Sequence, residues 1–79
     1  MREFEEARRN YQQALAIYIE FGDRYSQADT YHCLGALAEA EENYPEARVH
    51  LQTALEIYVE YKDEYWGAIA RKVLERLPE

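Results

Sequence analysis

Apolar residues recur along this chain at helical spacing. Ala7, Tyr11, Ala14, Leu15, Tyr18 and Phe21 fall at i, i+4, i+7, i+8, i+11 and i+14, which draws one stripe down a helix of 3.6 residues per turn. The stripe returns forty residues later as Ala47, Leu51, Ala54, Leu55, Tyr58 and Tyr61. Sliding the sequence by 40 residues pairs FEEARRNYQQALAIYIEFGDRYSQA with YPEARVHLQTALEIYVEYKDEYWGA, and residues 4–39 share 15 identities in 36 positions with residues 44–79. Mismatches such as Phe4/Tyr44, Ile19/Val59 and Phe21/Tyr61 keep their character. A repeated unit is therefore the organising feature of the chain.

Polar and turn-forming residues punctuate the stripes. Gly22 and Asp23 end one helix and cap the next, Ser26 with Asp29 resembles a capping box, and Pro45 stands in a first helical turn after Asn43-Tyr44. Pro78 closes the last segment. The pattern predicts four helices, 3–21, 24–42, 45–61 and 64–77, and an all-α class. Connections of two or three residues force neighbouring helices to pack antiparallel.

Gly35 interrupts the otherwise helical YHCLGALA, where a glycine costs about 1 kcal/mol relative to alanine and needs a packing reason. Tyr31-x-x-Leu34-Gly35-x-x-Ala38, followed by Tyr44, Ala47, Leu51 and Ala54, resembles the tetratricopeptide repeat, a helix-turn-helix unit whose signature has Leu-Gly and alanines at those spacings. The resemblance makes Gly35 a point of close helix approach. It implies a right-handed solenoid segment in which residues 3–21 match a second repeat helix, 24–61 a complete repeat, and 64–77 a first repeat helix. The 40-residue period looks like the long-helix variety of the family. In the last helix Arg71 replaces the aromatic and Glu75 the glycine, so that helix is written as a cap, since terminal repeats carry polar outer faces.

What the resemblance implies about function is protein–protein interaction without catalysis or cofactor. First helices of successive repeats line a concave groove that receives a peptide or partner helix. Carried over residue by residue, the groove stripe is Asp29, His32, Ala36 and Glu39 on the second helix and Ile69, Lys72 and Arg76 on the last. The basic and asparagine clamp of the family's chaperone-tail receptors is not matched, because His32 and Ala36 stand at its second-helix positions. The first helix lacks the partner helix that should precede it. Its stripe, with Tyr11, Leu15 and Tyr18, is thus a candidate for structural self-assembly into a homodimer or domain swap, the alternative to groove binding.

Composition narrows the field. A chain of 79 residues makes one domain at most and buries only roughly 60% of its unfolded surface, which disfavours a deep enzyme cleft. Sixteen acidic against nine basic residues give a net charge of −7, which repels a phosphate backbone and argues against nucleic acid. No apolar run approaches the roughly 18 residues a membrane span needs, and the start MREFEEARR has no apolar signal core, so no membrane is expected. One cysteine cannot close an internal disulfide and suits a reducing, cytoplasmic setting.

The remaining candidates are individual residues. His32, Cys33 and His50 show no CxxC or HxxxH spacing, and adjacent helical residues point about 100° apart, so no metal is expected. Cys33 reads as a small buried residue, His32 as a surface one, and His50 as solvent-facing because it aligns with Asn10. Ser26 is explained by capping and Glu39, Glu41 and Glu42 by a polar helix end, which leaves no catalytic set. Most of the eight tyrosines lie on the packing stripe. Trp66 aligns with Ser26 and is not demanded by the repeat; it reads either as a binding anchor or as a cover for the solenoid end. Lys72 and Arg76, one turn apart, suit a carboxylate ligand or simply the helix dipole.

Overall fold

The computed structural model describes residues 2–78 and is all-α. Its helices are α1 (Arg2–Glu20), α2 (Arg24–Ala40), α3 (Tyr44–Glu60) and α4 (Glu64–Arg76). Each lies within two residues of its predicted bounds. Successive helices pack against one another, α1 on α2, α2 on α3 and α3 on α4. Every connection has three residues, and all three turns are built alike. The middle residue is left-handed, with φ of 68° at Gly22, 62° at Glu42 and 57° at Lys62. The next residue sends its N–H back five positions, from Asp23 to the Tyr18 carbonyl at 2.8 Å, Asn43 to Ala38 at 2.8 Å and Asp63 to Tyr58 at 2.9 Å. That residue then serves as N-cap of the following helix. A Schellman end and an N-cap share one residue, which is why so short a link suffices.

The caps correct one expectation. Ser26 does not form a box with Asp29; its N–H and hydroxyl both donate to Asp23, at 3.2 and 2.8 Å. Asp63 caps α4 in the same way by accepting from the Trp66 N–H at 3.1 Å. Pro45 stands in the first turn of α3, where a missing N–H costs nothing.

The core surrounds α3, whose Ala47, Leu51, Ala54, Ile57 and Tyr58 are all buried. One cluster joins Ala54, Ile57 and Tyr58 to Ala28 of α2 and Ala70 of α4. A second joins Ala47 and Leu51 to Ala38 and Leu77. Alanines at the crossings let the backbones approach, and Leu51 fills the space over Gly35. Arg8 ties α1 to this frame through ion pairs with Glu41 after α2 and with Glu46 of α3, the latter at 3.0 Å. Arg48, its counterpart in the repeat, donates to the Pro78 carbonyl at 3.0 Å after α4.

Several sequence expectations fail at the ends and faces of helices. Phe21 and Tyr61 extend the apolar stripe on paper, yet they lie in the turns and are exposed, Phe21 by 78%. Cys33, His32 and His50 are each half-buried, so the first is less buried and the other two less exposed than expected. Tyr11, Leu15 and Tyr18 are half-buried, and Tyr11 meets Cys33 of α2.

Candidate functional site

α2 and α4 run in the same direction, and side chains of one meet those of the other at two places. At one end the ring of His32 stands 6.0 Å from that of Trp66, at 81°. At the other, Arg76 forks onto Glu39, with Nε to Oε2 at 3.1 Å and Nη2 to Oε1 at 2.9 Å. Ala36 and Lys72 lie exposed between these contacts and Ile69 half-buried. Asp29 is exposed at the aromatic end, its Oδ1 accepting the Tyr58 hydroxyl at 2.8 Å. The expected pairing of Lys72 with Arg76 as twin receptors is therefore altered. Arg76 is engaged by Glu39, while Lys72 has no ion pair among the described residues.

Sequence reasoning placed the tyrosines on the packing stripe and missed what they build. Tyr61, Tyr25, Tyr58, His32, Trp66 and Tyr65 form an unbroken chain of ring contacts with centroid separations between 5.3 and 6.4 Å. Perpendicular arrangements dominate it, as aromatic quadrupoles favour. Two hydroxyls anchor the chain to carboxylates, Tyr58 to Asp29 and Tyr25 to Asp63. Burial, reinforced by the bond to Asp29, pushes the Tyr58 hydroxyl far up, and the bond to Asp63 pushes Tyr25 up to about 12. Both stay protonated donors at neutral pH. The repeated Tyr25/Tyr65 and Tyr18/Tyr58 pairs were the visible signal, but contacts between units cannot be read from a repeat within one.

The imidazoles share a different environment. Burial lowers the His32 and His50 pKa values below the ordinary range, against the pull of Asp29 on the first and Glu46 on the second, while Arg8 lowers His50 further. The Nδ1 atoms of both rings are buried without a hydrogen-bond partner. Protonation would leave a buried N–H unsatisfied. A folded-state pKa below the unfolded value of about 6.5 means that the unfolded chain takes up the proton first, so stability is complete above that pH and declines as pH falls through it. The urea midpoint is therefore expected to drop between pH 7.5 and 5.5, and His32→Gln with His50→Gln to flatten that drop. A pH slope unchanged in the double variant would assign the effect to other groups.

Burial raises the Cys33 pKa and keeps it a thiol, which argues against a reactive nucleophile. Among the described residues no group of three or more His, Cys, Asp and Glu side chains is placed to hold a metal ion, and no helix is long and apolar enough to cross a membrane. Two surface clefts lie away from these α2–α4 contacts. One of about 460 Å³ runs along Tyr58, Lys62, Gly67, Ala68 and Arg71, and one of about 430 Å³ lies between Pro45 and Pro78. The first occupies the repeat equivalent of the α2–α3 contact, where Ala28 and Tyr31 pack on α3. Arg71 stands there in place of Tyr31.

A family model described as Tetratricopeptide repeat matches residues 1–58, spanning α1 to α3. No curated protein and no solved structure matches the chain.

Proposed function

The chain belongs to the tetratricopeptide repeat family, and from that premise we propose that it holds a partner peptide in the groove between α2 and α4. Members of this family are generally non-catalytic modules that bind protein partners. The observation that carries the reading is Trp66, a residue the repeat does not require, 42% exposed yet steadied edge-on by His32 and Tyr65. Tryptophan is, with tyrosine and arginine, enriched among the residues that anchor binding partners. In this reading residues 3–21 are the second helix of a partial repeat, 24–61 a complete repeat of the long, 40-residue variety and 64–77 a cap. The lone Cys33 thiol suits a cytoplasmic setting.

Selection of displayed random peptides on the protein tests the groove. Peptides should be recovered, and Trp66→Ala should weaken them by roughly 30-fold, the effect of removing an anchor worth about 2 kcal/mol. Circular dichroism should show unchanged helicity. Recovered peptides indifferent to Trp66→Ala would move the site elsewhere.

A second reading, self-association through α1, is favoured by one comparison within the repeat. Ile17 is 52% exposed, whereas its counterpart Ile57 is 0% exposed beneath neighbouring helices. Phe4 and Ile19 of α1 are exposed as well, but Ile19 matches its counterpart Val59 in this, so Ile17 marks the bare face, while Tyr11, Leu15 and Tyr18 are partly engaged in the fold itself. Light scattering over a tenfold concentration range decides between a mass near 9.4 kDa, which rejects the reading, and twice that, with Ile17→Glu restoring the single chain.

A further inference from the structure

The outer faces of α1 and α4 are two halves of one contact. Between α2 and α3 that contact is complete. Ala28 and Ile57 are buried in one cluster, the Tyr25 ring meets Tyr61 at 5.4 Å, and Tyr31 stacks on His50 at 6.0 Å. Forty residues on, the α2 side recurs on α4 as Tyr65, Ala68 and Arg71, all exposed, and the last two line the cleft of about 460 Å³ beside Tyr58 and Gly67. Forty residues back, the α3 side recurs on α1 as Ile17, Phe21 and Asn10, exposed as well. A helix of the α3 kind is what covers Ala28, and α1 is such a helix. Because α2 and α3 stand between α1 and α4, only a second copy can bring the two faces together.

Charge supports the match. Arg24 of α2 pairs with Glu60 of α3 at 2.9 Å, and the counterpart of Glu60 in α1 is Glu20. Arg24 becomes Glu64 in the second unit, but Lys62 lines the same cleft where the first unit has only Gly22. Glu46 lies 3.9 Å from the imidazole that stacks on Tyr31, so Glu6 of a second copy would come beside Arg71. Lys62, Arg71, Glu6 and Glu20 have no ion pairs among the described residues. The cleft thus turns two cations toward a face that carries two carboxylates.

One position opposes the match. Gly35, over which Leu51 packs, becomes Glu75 on α4, and Leu51 becomes Tyr11 on α1. Two large side chains meet there in place of a leucine on a glycine. That end of the contact is crowded, while the end at the cleft is free to close.

We infer, on the basis of the self-association reading above, that the α4 cleft receives α1 of a second copy, with Ile17 over Ala68 and Phe21 against Tyr65, and that Glu75 keeps this association weak. The contact is heterologous. A joined pair still presents a free α1 at one end and a free cleft at the other, so the two-chain species is the shortest of a series.

Two half-blocked variants test the arrangement by light scattering. Ala68→Glu spoils the cleft and Ile17→Glu spoils α1, both at exposed positions, and circular dichroism should show unchanged helicity. The parent should gain mass steadily with concentration, whereas each variant alone should stay near 9.4 kDa. Their equimolar mixture should form a species of two chains and no larger, because it holds one intact α1 face for each intact cleft. Glu75→Gly should lower the concentration of half-association by about tenfold, or 1.4 kcal/mol. If Ala68→Glu chains still pair with one another, α1 meets α1, which overturns the proposal and leaves the self-association reading standing. A parent and a mixture that both stay at the single-chain mass overturn the two together. Association unchanged in Glu75→Gly overturns the part assigned to Glu75.

Discussion

Replacing Gly35 with leucine is expected to unfold the protein. A Cβ at this position would stand 2.6 Å from the branch carbon of Leu51 and within 3.3 Å of both its methyls. The obstacle is the root of a fully buried side chain rather than a flexible tip. Gly35→Ala separates two effects of opposite sign, because alanine gains about 1 kcal/mol of helix propensity while overpacking a tight core costs about 1–3 kcal/mol. The net should be a loss of stability in urea denaturation. Leu51→Ala alone should cost about 2–5 kcal/mol through the cavity it opens. Joined to Gly35→Ala it should cost less than the sum, since the new methyl enters the space that Leu51 vacated. A Gly35→Ala variant more stable than the parent would mean that Leu51 yields freely and that the glycine is not a contact point.

Tyr58→Ala carries the second large effect, a loss of about 3–5 kcal/mol, as for other buried aromatics. Tyr58 is 1% exposed and among the largest fully buried side chains. Its ring meets Tyr25 at 5.9 Å and His32 at 6.4 Å, and its hydroxyl links α3 to Asp29 of α2. Tyr58→Phe keeps the packing and removes only the bond, so about 1 kcal/mol is expected. Tyr18→Ala supplies the internal comparison. The residue is the same and so is its place in the repeat, but Tyr18 is only half-buried, and its loss should cost clearly less than that of Tyr58. Equal costs would show that the first unit is as tightly covered as the second.

The turns show where the sequence was readable and where it was not. Gly22 announces its left-handed residue, whereas Glu42 and Lys62 adopt the same φ with no glycine to signal it. Their conformations follow from closing a Schellman turn onto an N-cap within three residues, a demand of the connection rather than of the residue. Asp23 was a legible cap; that Asp63 caps α4 in the same way, and that Ser26 donates to Asp23 rather than capping itself, depended on the side-chain geometry at the turns. Of the site, the groove stripe on α2 and α4 followed from helical spacing and the family resemblance. The fork of Arg76 on Glu39 and the six-ring aromatic chain did not, because, the adjacent Tyr65 and Trp66 apart, they join residues 26 to 37 positions apart.

The amino-acid sequence by itself determined the period, the four helices and their short links, because each is set by local spacing and by residues within a few positions of one another, and the close approach at Gly35 followed from the family resemblance. Only the tertiary structure decided which face of each helix is covered. Asn10 and His50, Ile17 and Ile57, Tyr18 and Tyr58 occupy equivalent places in the repeat, yet in every pair the second is the more buried. α3 lies between α2 and α4 and packs on both, while α1 packs mainly on α2 and meets α3 through the Arg8–Glu46 ion pair. Burial depends on what stands across the interface, and that neighbour is supplied by a distant part of the chain.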